Sequence, residues 1–157
     1  MKKKILIDLD VVTVSIWNKS GQQMEIAKKF IEKIEKGEFY VITPFLLIEV
    51  VLKWEHETLK TAIKEFYIKN SDRFLTDTEI KEMCEELDVN YEIVLNELES
   101  EGIKKEDAAL VLITSLFSCD YLITFNRVHL KNKKEDANKI LKKWSLSAIQ
   151  ISGPEEV

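Results

Sequence analysis

Two rhythms of apolar and polar residues run along this chain, and together they divide it into strands and helices. Residues 5–9 (Ile-Leu-Ile-Asp-Leu) form a short, mostly apolar run of the kind that makes a parallel strand covered on both faces. Residues 22–36 repeat apolar positions at helical spacing (Ile26, Phe30, Ile31, Ile34), and Gly37 is placed to end that helix. Residues 39–42 predict a second strand. Thr43 and Pro44 then supply a cap and a first-turn proline for a helix reaching about Glu55. From 57 to 101 the pattern is helical, broken around 70–76 and near Asp88, with Gly102 as the stop. A helix over 104–117, a strand over 121–125, a charged amphipathic helix over 134–144 and a last strand over 148–151 complete the series. Gly153-Pro154 opens a tail expected to fray.

Strands alternating with helices predict an α/β fold: a central parallel sheet of about four to five strands, flanked by helices in three layers. The long helical middle reads as an insertion-like bundle beside the sheet. A chain of 157 residues suits one domain, taken as residues 1–152 with the tail at 153–157.

Charge narrows the picture. The formal net charge of −5 argues against a protein that coats nucleic acid, since phosphate affinity comes largely from Lys and Arg. It leaves room for an enzyme that touches a few nucleotides through local basic groups. Cys84 and Cys119 lie far apart without metal-site spacing, which fits a reducing, cytoplasmic setting. Lys2–Lys4 followed by Ile5-Leu6-Ile7 superficially resembles a signal peptide, but Asp8 and Asp10 interrupt the apolar stretch. No apolar run approaches membrane-spanning length.

The informative residues are acids in apolar surroundings. Glu49 is the only charged residue between Phe45 and Leu52, on a helix that reads as apolar on every side, where an unpaired carboxylate is costly to bury. Asp8 closes the first strand, and Asp107 opens the apolar run 108–113. Each has a bland reading: a helix-edge Glu paired with Lys53, a strand-end cap, a first-turn acid favoured by the helix dipole. Topology weighs against all three being bland. Ligands of a parallel α/β sheet bind outside the carboxyl ends of its strands. Asp8 with Asp10, Glu49, Asp107 and Asn126 all come from segments that reach that rim. Crowded carboxylates need a cation, and hard oxygen ligands select Mg²⁺ or Mn²⁺.

These segments resemble the PIN-domain family of metal-dependent ribonucleases. The first element is Ile5-Leu6-Ile7-Asp8-Leu9-Asp10-Val11, the second runs from Thr43-Pro44 to Ile48-Glu49-Val50. The third is Glu106-Asp107-Ala108-Ala109-Leu110, and the fourth Leu122-Ile123-Thr124-Phe125-Asn126. The resemblance covers nearly the whole chain, in order. It departs at Leu9, where the family often has Ser or Thr, and at Asn126, where many members have a fourth Asp.

The resemblance implies an endoribonuclease hydrolysing RNA phosphodiester bonds, with Asp8, Glu49 and Asp107 as metal ligands and Asn126 completing the catalytic set. Asp10 and Thr124 would support, and Arg127 and Lys131 would contact RNA phosphate. It also implies a homodimer and, in the toxin branch of the family, a small antitoxin partner; RNA maturation or degradation stays open beside that role. Two alternatives stand. Asn126 could mark a PIN-like module that binds RNA or protein without chemistry. Asp8-Leu9-Asp10 also resembles the nucleophile-x-acid motif of haloacid-dehalogenase-type phosphatases, with Asp8 as nucleophile. That family expects a late Gly-Asp metal motif the chain lacks, and it leaves Glu49 unexplained. His56 reads as an exposed helix-end residue and His129 as a residue near the Asn126 turn that could face the site. Trp17, Trp54 and Trp144 read as anchors of the core or of an interface.

Overall fold

The first strand, β1 (Lys3–Ile7), is apolar from Ile5 onward and wholly buried there. A computed structural model describes residues 1–17 and 21–157. After β1 come helices α1 (Leu9–Trp17) and α2 (Gln22–Glu35), strand β2 (Phe39–Pro44), and helices α3 (Phe45–Leu52) and α4 (Glu57–Asn70). Strand β3 (Arg73–Leu75) follows, then α5 (Asp77–Glu86), α6 (Tyr91–Ser100) and α7 (Lys105–Leu116). Strand β4 (Tyr121–Ile123), α8 (Lys134–Lys143) and β5 (Gln150–Ser152) complete the fold.

The five strands form one parallel sheet in the order β3-β2-β1-β4-β5. The chain therefore steps outward from β1 to β2 to β3, then returns to the other side of β1 for β4 and β5. Right-handed crossovers put helices on one face for the first direction and on the opposite face for the second. Accordingly α1 packs with α2 and α4, and α3 with α4, in one layer; α5, α6 and α8 gather around α7 in the other. The α/β architecture in three layers is as the periodicity predicts.

Helix α7 is buried along nine successive residues, Ala108 to Leu116, because it lies between the sheet and three other helices. Its polar positions are internally satisfied: Thr114 donates to the Leu110 carbonyl at 2.7 Å, and Ser115 to that of Ser147. Gly37 (φ +76°) and Gly102 (φ +91°) adopt the left-handed conformation that stops a helix cheaply only at glycine, as their positions after apolar periodic runs predict.

Three expectations are corrected. The middle of the chain is not a bundle inserted beside the sheet: β3 passes through it, pairing Ile42 with Arg73 and Pro44 with Leu75. Three residues are too few to show a strand's alternation, so the element reads only as a break between helices. Thr43 is not a helix cap but the buried end of β2, its hydroxyl 2.6 Å from that of Ser71; α3 starts after Pro44 without a side-chain cap and ends at Leu52. Finally, residues 153–157 do not fray. Gly153 and Pro154 are buried, a 3₁₀ turn spans Pro154–Glu156, and Lys33 donates to the Val157 carbonyl at 2.8 Å.

Candidate functional site

The sheet order reverses between β1 and β4, and in open parallel sheets that reversal leaves a crevice at the carboxyl ends of the two strands. Asp8 is the residue that leaves β1 there. Its backbone N–H donates to the Ile123 carbonyl at 2.9 Å, extending the β1–β4 pairing by one step, and Thr124 N–H donates likewise to Ser152 at 2.9 Å. Two rungs of sheet thus fix the backbones of Asp8 and Thr124 next to each other. Below them the Tyr67 hydroxyl, fully buried on α4, donates to the Ile7 carbonyl at 2.8 Å.

The side chains converge on one hydroxyl. Thr124 Oγ1 donates to Asp8 Oδ2 at 2.8 Å and lies 3.3 Å from Asp10 Oδ2. A hydroxyl carries one proton, so it cannot serve both carboxylates fully. Asp8 Oδ1 accepts from its neighbour's backbone, Leu9 N–H, at 2.8 Å. Asp10, in the first turn of α1, accepts from Phe125 N–H at 3.1 Å through Oδ2. Asp10 Oδ1 is buried with no hydrogen-bond partner among the described residues.

Asp107 arrives from the other layer, in the first turn of α7. The Asn126 amide nitrogen donates to its Oδ2 at 3.2 Å, while Asn126 Oδ1 accepts from His129 N–H at 3.0 Å. The Asn126 N–H in turn donates to Thr124 Oγ1 at 3.0 Å. His129 closes the turn with Nδ1 3.1 Å from the Gly102 carbonyl. A continuous hydrogen-bonded chain therefore links Asp8, Asp10, Thr124, Asn126 and Asp107.

Electrostatics confirms the crowding. Burial pushes Asp8 above the ordinary carboxylate range. Asp10 is pushed up to about 7, by burial first and the Asp8 charge second. Asp107 is pushed up to about 6 by burial and again by Asp8, partly offset by His129 and Lys104. Burial, then Asp8 and Asp10, drive the Tyr67 phenol well above its usual value. None of the three aspartates has a salt-bridge partner among the described residues.

Other expected residues make no side-chain hydrogen bond to this cluster among the described residues. Glu49 is exposed, on the same outward side of α3 as Phe45 and Leu52; the helix is not apolar all round once folded, so the cost of burial that singled Glu49 out does not arise. Lys131 is paired with Glu156 and, at 3.8 Å, with Glu155, so its charge is already engaged by the docked tail. Arg127 is exposed in the turn after Asn126. His56 caps α4, its Nδ1 accepting from Leu59 N–H at 3.1 Å, and its ring meets Trp17 edge-on at 4.4 Å. Tyr67 is the participant that sequence reading missed. Its signal was a phenol on the stripe Leu59, Ile63, Tyr67, where a buried hydroxyl must find an acceptor.

The donor set suits a hard divalent cation. It is all oxygen, it carries excess negative charge, and it includes a buried oxygen without a partner. As the side chains stand, no three His, Cys, Asp or Glu groups among the described residues are close enough together to hold an ion. Fold and cluster define a class: parallel α/β proteins with a carboxylate crevice at the point where strand order reverses. The chain matches no protein-family model and no curated protein. No helix among the described residues is long and apolar enough to cross a membrane.

Proposed function

We propose that this chain is an endoribonuclease that hydrolyses RNA phosphodiester bonds with Mg²⁺ or Mn²⁺. The observation that carries the reading is the crowding of acids at the β1–β4 crevice: three aspartates from two segments, none in a salt bridge among the described residues, and one buried carboxylate oxygen unsatisfied. The resemblance of the four segments to the PIN-domain family supports the same reaction. A divalent ion bound there would polarise a phosphate and supply an activated water.

The chain's own residues have distinct tasks in this reading. Asp8 and Asp107 would hold the ion, with Asp10 behind them. Thr124 sets the direction of the Asp8 carboxylate, and Asn126 that of Asp107. Asn126 contributes a neutral amide where an acid would add charge, which favours one ion over two. Arg127, exposed beside the cluster, takes a phosphate of the substrate. Glu49 belongs to the resemblance but stands outside the hydrogen-bonded chain, so its part is an outer one.

The test is cleavage of a labelled RNA containing single-stranded and hairpin regions, in Mn²⁺, Mg²⁺ or EDTA. Wild type cleaves with metal and not in EDTA. Asp8→Asn loses more than the roughly 10–100-fold that outer-shell substitutions cost, and Glu49→Gln falls within that range. Equal background cleavage by wild type and Asp8→Asn would sink the proposal. A phospho-aspartate trapped on Asp8 would establish the phosphatase reading instead.

One observation favours a second reading, a PIN-like module that binds without chemistry: the absence of any assembled three-ligand group among the described residues. RNA binding by Asp8→Asn equal to wild type, with no cleavage by either, would select it. The family resemblance also brings a homodimer, a cytoplasmic setting and, in the toxin role, a small antitoxin. Growth arrest on expressing wild type but not Asp8→Asn supports that role; normal growth with soluble, active protein removes it.

A further inference from the structure

Away from the aspartate cluster, a cavity of about 590 Å³ opens between the start of α3 and the α5–α6 hairpin. Its apolar lining includes Leu46, Ile80 and Val89, and its charged lining is three acids, Asp77, Glu85 and Glu92, with one cation, Lys81. The same hairpin also exposes two large apolar residues, Leu87 at 44% and Ile93 at 46%.

The groove belongs to a strongly acidic stretch of the chain, only part of which lines it. Residues 77–101 hold ten acids and one basic residue, Lys81, a net −9. The whole chain is −5, so the other 132 residues together carry +4. The hairpin's field repels phosphate, which rules nucleic acid out as the occupant on physical grounds. It attracts cations. The charge also extends along both helices, each of ten residues and so about 15 Å long, which exceeds the reach of a small cationic ligand. An apolar floor, a predominantly acidic charged lining and exposed apolar side chains on the same hairpin together match an amphipathic helix with Leu-like residues on one face and Lys or Arg on the other.

We propose that the α5–α6 groove, floored by Leu46, Ile80 and Val89 and ringed by Asp77, Glu85 and Glu92, docks a cationic amphipathic helix of a partner protein. Apolar contact supplies affinity, and the acids supply steering and orientation. The proposal does not depend on the metal site.

A fluorescent 14-residue helical peptide of Leu and Lys, with leucines at i, i+3, i+4 and i+7, tests it against a scrambled peptide of the same composition. Fluorescence anisotropy is read with the full chain at near-physiological salt. The amphipathic peptide is expected to bind at least about tenfold more tightly than the scrambled one. Glu85→Lys/Glu92→Lys should weaken it by about tenfold or more. Glu99→Lys/Glu101→Lys, which changes net charge equally outside the groove, should change it less than about twofold. Equal binding of both peptides, or equal losses in both double variants, would mean unspecific charge attraction and overturn the proposal. So would an RNA oligonucleotide displacing the peptide, or a dimer in sedimentation velocity that dissociates in Glu85→Lys/Glu92→Lys, which would make a second copy the occupant. All four substituted residues are exposed. Circular dichroism confirms that each variant is folded before its affinity is compared.

Discussion

At the scale of single residues, Asp10 is where the molecule carries a cost. Its carboxyl is buried, faces the Asp8 charge, and keeps one oxygen unpaired. In the folded chain it holds its proton up to about pH 7, against 3.8 for an unperturbed Asp. Asp107 does so up to about pH 6. Between these values and the ordinary carboxylate range, the folded state binds more protons than the unfolded one. Stability therefore falls as pH rises. In EDTA, urea titrations should show unfolding free energy decreasing from pH 5 to pH 8, by at most about 1.4 kcal/mol per pH unit for each proton involved. Asp10→Asn should flatten that slope. A slope of the opposite sign would mean that the aspartates are stabilised as anions within the protein.

Tyr67 sits opposite in character, a polar atom fully satisfied in the core. Its hydroxyl is the partner of the Ile7 carbonyl immediately before Asp8. Tyr67→Phe should cost about 1–3 kcal/mol in unfolding free energy, since a buried acceptor loses its donor while packing is kept. A loss near zero would show that the carbonyl finds another partner.

At the scale of elements, capping and chain reversal explain where helices begin and end. Thr76 and Glu79 form a reciprocal capping box at the start of α5, and Asn90 Oδ1 accepts from Ile93 N–H at 3.1 Å at the start of α6. The periodicity reading placed only breaks near these points and used neither cap, and it gave no sign of the short β3 just ahead of Thr76. A three-residue strand is defined by its neighbour β2, not by its own composition. Gly102 shows the converse, a local requirement visible directly. At φ +91°, a Cβ would be strained and would come within 3.3 Å of Lys133. Gly102→Ala should destabilise by about 1 kcal/mol or more, measured by thermal or denaturant unfolding. An unchanged midpoint would mean that the turn relaxes. Because the turn also carries the carbonyl beside His129, any loss of RNA cleavage should be compared at a temperature where both proteins are folded.

At the scale of the whole molecule, the docked tail is one support, and the proposed divalent ion would be a second. Residues 153–157 pack on α2 through a buried Pro154 and the Lys33 contact to Val157, and Lys131, after β4, pairs with Glu155 and Glu156. Truncation after Ser152 should lower the melting temperature and release Lys131; no change would show that the docked turn contributes nothing net. A divalent ion that binds only the folded chain stabilises it by mass action, by about 2.7 kcal/mol at one hundred times its dissociation constant. Mg²⁺ or Mn²⁺ should thus raise the melting temperature, more at pH 8 than at pH 5, and less in Asp8→Asn. Equal shifts in both proteins would place the ion elsewhere.

What the sequence determined by itself was local. Periodicity and helix-stopping glycines specify the α/β class, because strands and helices differ in the spacing of their apolar residues. The acids Asp8, Asp10 and Asp107 stood out because each interrupts or opens an apolar run. Glu49 stood out on the same ground, but composition cannot tell which side of a helix faces water, and packing against α4 and β2 left Glu49 outside. Lys131 likewise gave no sign of the acids 24 and 25 residues later that engage it. Only the tertiary structure brought Thr124 between Asp8 and Asp10, joined Asn126 to Asp107, and set Tyr67 beneath the crevice. The Thr124 contacts join strands side by side across more than a hundred residues, and the other two join a helix to a strand end or turn, 19 and 60 residues apart; a one-dimensional pattern holds no record of which element lies beside which.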